Sequence, residues 1–202
     1  MKYSYLLTML FAFSLSSLYA QLPEKAEDIS PLLTGEKMPD LKLINTEDQE
    51  VSVLSLVAKK PTVLIVYRGG WCPYCNTHLA ELGQKEEDIL GLGYQIVAIS
   101  PDATESLKKT GDKDEISYEL LSDADGAFAK AVGIAFKAPE RYGKMLSKYS
   151  DSKNEGFLPV PSVFVINQSG EIDFEYINPN YKKRLSGDML LAVLSELAMQ
   201  ED

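Results

Sequence analysis

Thr62 to Tyr67 reads TVLIVY, an almost unbroken run of β-branched and aliphatic residues closed by a tyrosine. Such a run has the pattern of a strand buried on both faces, as in the middle of a sheet covered by helices. Pro61 breaks the chain ahead of it, and Arg68-Gly69-Gly70-Trp71 makes a loop behind it. The spacing of Leu79, Leu82, Ile89 and Leu90 then predicts a helix from about Cys72 to Leu92, with those residues on its buried side and Gly91 and Gly93 ending it.

The rest of the chain repeats this kind of unit. Gln21 to Pro39 is polar and turn-rich, an arm with a short helix around Ile29 to Leu33. Leu41 to Ile44, a polar turn, and then Val51, Val53 and Leu54 suggest a hairpin-like start. Tyr94 to Ser100 is a second buried strand, Ala103 to Lys109 a helix, Tyr118 to Leu121 a third strand, and Asp125 to Val132 a helix stopped by Gly133. Ala135 to Leu158 is patterned least, with a helical piece from Arg141 to Lys148 beside a loop. SVFVIN and EIDFEYI, joined by Gln168-Ser169-Gly170, form a hairpin, and Asp188 to Met199 an amphipathic helix. The order predicts an α/β fold in one domain over residues 21–202, a central mixed sheet of about five strands with helices on both faces.

Residues 1–20 carry a different message. Lys2 precedes an apolar stretch from Leu6 to Leu18, and Leu18-Tyr19-Ala20 offers a cleavage site, the layout of a secretory signal peptide. A membrane anchor is the alternative, but the stretch falls short of the roughly 20 apolar residues a span needs and no basic stop-transfer cluster follows. The mature chain is expected to begin near Gln21 and to work in the periplasm or outside the cell, without a membrane span. Disulfides persist in such compartments.

Charge and composition narrow the partners. Twenty Lys and Arg face 30 Asp and Glu, a formal charge of −10, and no basic tract offsets it. Such a surface repels phosphate backbones, which excludes nucleic acid as an expected partner. Two cysteines and one histidine leave a tetrahedral zinc site of Cys and His ligands short of side chains.

The chemistry gathers in Tyr67-Arg68-Gly69-Gly70-Trp71-Cys72-Pro73-Tyr74-Cys75, where a buried strand gives way to a helix. Sites in open α/β sheets form at the carboxyl ends of strands, where this loop emerges. Cys72 falls at the helix N-cap and Pro73 at the first helical position, where its missing N–H costs nothing. The free amides of Tyr74 and Cys75 and the helix dipole favour a thiolate at Cys72, and Arg68 adds positive charge nearby. Trp71 is expected to pack beside the cysteines and shape access to them. Cys75, three residues on, lies on the same helix face within disulfide reach. A purely structural bridge closing so short a loop stabilises a fold by only about 2 kcal/mol, against about 3 for a fifteen-residue loop. A cycling thiol/disulfide pair accounts for the spacing better.

At this point the chain resembles a known family. RGGWCPYC between strand and helix, LPVPSVFVIN far downstream and INPNYKKR after it resemble the thioredoxin fold, and within it the peroxiredoxin-like branch of the alkyl hydroperoxide reductase C/thiol-specific antioxidant (AhpC/TSA) family. The likeness runs from about Ile29 to the C-terminus; CPYC alone is also similar to glutaredoxins. It implies that Cys72 is the attacking cysteine and Cys75 the resolving one, that Pro161 is a cis-proline beside the active pair, and that the activity is antioxidant. The chain departs from the pattern at three places. Ile65 and Gly69 stand where typical members carry Pro and Thr or Ser, seven and three residues before the attacking cysteine, and Pro161 stands near the position of their active-site arginine.

Three functions compete on these residues. In one, Cys72 thiolate attacks a peroxide, Cys75 condenses with the resulting sulfenic acid, and an external dithiol such as a thioredoxin-like protein reduces the Cys72–Cys75 bond. In the second, which the departures support, the same pair acts on protein disulfides without peroxidase activity. Neither needs an organic cofactor. The third is a copper-binding module using Cys72, Cys75 and His78. His78 is six residues from Cys72, more than a turn and a half of helix away. Tyr181-Lys182-Lys183-Arg184 reads as a solvated basic cluster.

Overall fold

The computed structural model describes residues 21–200. The signal-peptide reading falls on residues 1–20, outside the described residues.

The strands are β1 Lys42–Asn45, β2 Glu50–Ser52, β3 Thr62–Val66, β4 Gln95–Ser100, β5 Glu119–Ser122, β6 Ala135–Lys137, β7 Phe157–Pro159, β8 Ser162–Ile166 and β9 Ile172–Ile177. The helices are α1 Val53–Val57, α2 Pro73–Gly83, α3 Glu86–Gly91, α4 Thr104–Asp114, α5 Ala127–Ala131, α6 Gly143–Tyr149 and α7 Gly187–Gln200. Seven strands form one sheet in the order β2-β1-β5-β4-β3-β8-β9, and β6 and β7 make a separate two-stranded ribbon. β3 lies parallel to β4 and antiparallel to β8, so the sheet is mixed.

TVLIVY does what its composition dictates. All five residues of β3 are buried. Alternation sends Val63, Ile65 and Tyr67 to one face, against Leu79, Leu82, Ile89, Leu107, Leu190 and Leu194 of α2, α3, α4 and α7. Leu64 and Val66 point the other way, against α1 and α5 through Val53, Val57 and Phe128. The α/β class with helices on both faces is therefore observed, with two more strands in the sheet than the patterning implied.

Several local expectations need correction. The helix foreseen over 72–92 breaks after Gly83 into α2 and α3. Glu86, Glu87 and Asp88 start the second piece, where acids suit the helix dipole. The break resets the helical phase, so Ile89 is buried while Leu90 is 44% exposed. Val53 and Leu54 do not extend a strand: the Ser52 side chain accepts from the Ser55 N–H at 3.0 Å and starts α1 there. The short helix of the arm is a 3-10 turn at Ala26–Asp28, not at 29–33. Leu32 N–H instead donates to Val132 C=O at 3.1 Å, which holds that stretch extended along the end of α5.

Pro161 is a further correction. The described peptide bonds are all trans, that before Pro161 included. Val160 N–H donates to Ile134 C=O at 2.9 Å, so the chain enters β8 as a straight continuation of the β6–β7 ribbon.

Candidate active site

Parallel pairing of β3 and β4 brings their carboxyl ends side by side, and the loops leaving them meet. Tyr67 to Trp71 leave β3, and Asp102 follows β4. The Gly70 N–H donates to Asp102 Oδ2 at 2.7 Å and joins the two loops. Gly69 has φ +131°, and a Cβ there would lie 2.4 Å from Trp71 Nε1 and 2.7 Å from Asp102 Oδ1. Only glycine fits both the angle and the space.

Cys72 is the N-cap of α2, with extended backbone, and Pro73 takes the first turn, as the spacing foretold. Cys72 and Cys75 are free thiols, each 1% exposed. The Cys75 thiol donating to its sulfur holds the Cys72 thiol down at about 6; burial opposes this, and the Cys75 amide, Arg68 and Arg184 assist. The amide acts as a nearby dipole, since Cys72 makes no full capping hydrogen bond. Burial, then the neighbouring Cys72 sulfur, push the Cys75 thiol well above its ordinary value. One sulfur is thus poised as thiolate and the other as thiol.

Arg68 is buried, 4% exposed. Its guanidinium carbon lies 5.2 Å from the Trp71 ring centre, 5.0 Å from Tyr142 and 4.3 Å from Tyr181. Arg68 beside the Tyr142 hydroxyl lowers its pKa. Trp71 and Tyr142 face each other at 5.5 Å, and Tyr74 meets Tyr181 edge-on at 5.7 Å. The rings of Trp71, Tyr142 and Tyr181 surround the Arg68 guanidinium, and Trp71 also packs against the buried cluster that holds both cysteines. Beside them opens a largely apolar cavity of about 250 Å³, lined by Arg68, Tyr142, Tyr181, Pro161 and Leu158 among others. Pro161 therefore borders the site, in trans. A larger cavity of about 700 Å³ lies along α4 and β5, where none of the residues around the cysteines lines it.

Arg184 is one residue whose place sequence patterning missed. Lys182 and Lys183 are exposed as a solvated cluster should be, but Arg184 is half-buried and its Nη2 donates to Cys75 Sγ at 3.3 Å. Asn178 and Asn180 turn the chain just before it, their side chains accepting from the N–H groups of Asn180 and Lys182. Those two asparagines were the only local hint that the segment curls inward. Tyr142, Tyr181 and Asp102 were missed as well, because nothing in their local sequence marks them as neighbours of Arg68 or Gly70.

His78 does not complete a metal set. It is buried, its Nε2 donates to the Leu185 carbonyl at 3.0 Å, and burial pushes its pKa down to about 4. Among the described residues no cluster of three His, Cys, Asp or Glu has metal-holding geometry, so the copper reading lacks a third ligand. No described helix is long and apolar enough to cross a membrane.

Comparison with known proteins agrees with this geometry. The bcp protein of Haemophilus influenzae is 28% identical over 144 residues, 71% of this chain and 85% of that protein. Peroxiredoxin Bcp of Bacillus subtilis is 30% identical over 110 residues, 54% of this chain and 69% of that one. The crystal structure of reduced Prx3 from Vibrio vulnificus, in complex with H2O2, superposes with a TM-score of 0.70 at 20% identity, covering 82% of this chain and 98% of that one. This is the thioredoxin-like fold of peroxiredoxins. The AhpC/TSA family pattern matches residues 34–175, and the chain belongs to the AhpC/TSA family, in its peroxiredoxin-like branch.

Proposed function

We propose that the protein is an exported thiol peroxidase that turns over through Cys72 and Cys75. The Cys72 thiolate attacks the terminal oxygen of a hydroperoxide, the O–O bond breaks, and the leaving alkoxide takes from solvent the proton that the thiol had released, departing as an alcohol, or as water from hydrogen peroxide. Cys72 is then a sulfenic acid. Cys75 displaces its hydroxyl, losing the thiol proton as water departs, and an intramolecular disulfide results. An external dithiol, such as a thioredoxin-like protein, attacks that disulfide and restores both thiols.

The observation that carries this reading is the split between the two sulfurs: Cys72 at a helix N-cap is held down at about 6, chiefly by the neighbouring Cys75 thiol, while Cys75 itself is pushed well up. Arg68 and Arg184 supply positive charge on the reacting side, in place of the arginine that typical members carry near position 161. The apolar cavity beside Arg68 offers room for the remainder of the peroxide or for a partner's peptide. Export rests on the leader in residues 1–20 and on a resolving cysteine suited to an oxidising compartment.

A second reading, a thiol:disulfide oxidoreductase for protein substrates, is favoured by Ile65 and Gly69 where the family places peroxide-activating residues. Peroxide consumption with a dithiol donor separates the two. Cys72→Ser is expected to abolish turnover, and Cys75→Ser to stop after one oxidation at a trapped sulfenic acid or mixed disulfide. Absence of peroxide turnover with brisk reduction of protein disulfides would favour the second reading; substantial turnover by Cys72→Ser would sink both.

A further inference from the structure

We propose that Asp102 is a positioning residue for the reacting pair: its buried carboxylate clamps the Gly69–Gly70 turn, and so fixes the loop from which Arg68 and Trp71 reach the cysteines. Neither the attack on peroxide nor the resolution step uses this carboxylate, yet it is 1% exposed at the carboxyl end of β4. Its Oδ2 accepts the Gly70 N–H at 2.7 Å, a bond spanning two loops 32 residues apart. Its Oδ1 and Trp71 Nε1 both stand within 2.7 Å of the point a Gly69 side chain would fill, so they crowd the same α-carbon. Trp71 Nε1 is itself buried without a hydrogen-bond partner.

A buried carboxylate without a cation is costly. The groups that face Asp102 are the Tyr67 phenol from the end of β3, the Ser100 hydroxyl from β4 and the Gly70 amide and Trp71 indole from the loop before α2. No cation is among the causes that act on its ionisation; burial pushes the carboxyl up to about 7, against the Gly70 and Ser100 hydrogen bonds. Tyr67 stays neutral through that range, because burial and then the charge of Asp102 raise its pKa well above the ordinary value. A charge-assisted hydrogen bond is roughly twice as strong as a neutral one. Gain of a proton by Asp102 therefore loosens the clamp, and the loop above Cys72 slackens as pH falls below neutrality.

The inference rests on Cys72 being the reacting thiol, but its first readout does not. Trp71 is the single tryptophan of the chain and reports the loop directly. In a Cys72→Ser/Cys75→Ser background, its emission is expected to titrate once, near 7, and Asp102→Asn is expected to flatten that transition. In the otherwise unaltered protein, Asp102→Ala removes the acceptor that even a protonated carboxyl keeps, and is expected to raise the thiol pKa of Cys72 by about one unit, a tenfold loss of thiolate at a fixed pH below it. The sign is decisive, since removal of a negative charge alone lowers a thiol pKa. A Cys72 pKa that falls or stays put, or an emission transition that survives in Asp102→Asn, overturns the proposal. Should either Asp102 variant not fold, flat emission of the cysteine-free protein across the neutral range overturns it equally. An enzyme that fails to consume peroxide while both readouts behave as expected sinks the peroxidase reading and leaves this one standing.

Discussion

A side chain on Gly70 would place its Cβ 1.9 Å from Thr110 Oγ1. The loop that leads into α2 therefore rests directly on α4, with no layer of atoms between them. Gly70→Ala is expected to destabilise the fold by about 1–3 kcal/mol, the usual range for forcing extra atoms into a packed contact. Thr110→Ala removes the Oγ1 and Cγ2 atoms and is expected to return part of that loss in the double variant. Urea unfolding of the two single variants and the double closes the cycle. Equal stability of Gly70→Ala and the double variant would mean that the contact is softer than its geometry says.

Arg184 sets the charge beside the cysteines from the far side. Arg184→Met is expected to raise the Cys72 thiol pKa by about one unit, which cuts the thiolate about tenfold well below pH 6 and about twofold near neutrality. Arg184→Lys keeps the charge but loses the planar fork, so an intermediate value is expected. Ultraviolet titration of the thiolate reads both. A Cys72 titration unmoved in Arg184→Met would leave Arg68 as the sole cationic support.

The Cys72 thiol also links stability to pH. Its folded value of about 6 lies below the ordinary 9.0, so the folded state releases the proton first. The stabilisation is complete above the unfolded value and disappears as pH falls from about 9 to about 6. Relative to Cys72→Ser, the reduced protein should gain stability with rising pH across that window, with a slope of about 1.4 kcal/mol per unit at most. Cys75 shifts upward and takes back some of the gain above its unfolded value. A stability difference that is level with pH would show that the thiolate is not preferred in the fold.

His78 makes the opposite end of the pH range fragile. Its folded value of about 4 lies below the ordinary 6.5, so the unfolded chain takes up the proton first as pH falls. Stability present above about 6.5 is lost progressively down to about 4. His78→Gln can still donate to the Leu185 carbonyl and carries no titrating ring, so its acid limb is expected to be shallower. Parallel acid unfolding of the two proteins tests this; identical limbs would place the acid sensitivity elsewhere.

Local pattern accounts for what was legible in the chain. β3, the loop after it and the capped start of α2 are set by neighbours within a dozen residues, and TVLIVY and CPYC carry that information openly. The reach of the resemblance and the pairing of β8 with β9 were legible for the same reason. What was missed depends on contacts across the chain. Arg184 and Cys75 are 109 residues apart, and the rings around Arg68 come from the segment before α6 and the loop after β9. The β6–β7 ribbon has three residues on each side and ends at Pro159, too short for any period to show. The Val160 N–H to Ile134 C=O bond carries that ribbon up to Pro161, a contact that local pattern does not show.

The link from Arg184 to Cys75 also bears on when this chemistry begins. A chain still emerging from the ribosome has not yet docked the segment that carries the guanidinium. Its Cys72 sulfur then lacks one of its two cationic supports and holds its charge less readily. The last share of reactivity is a late product of biogenesis, acquired when the final stretch of polypeptide closes over the first half.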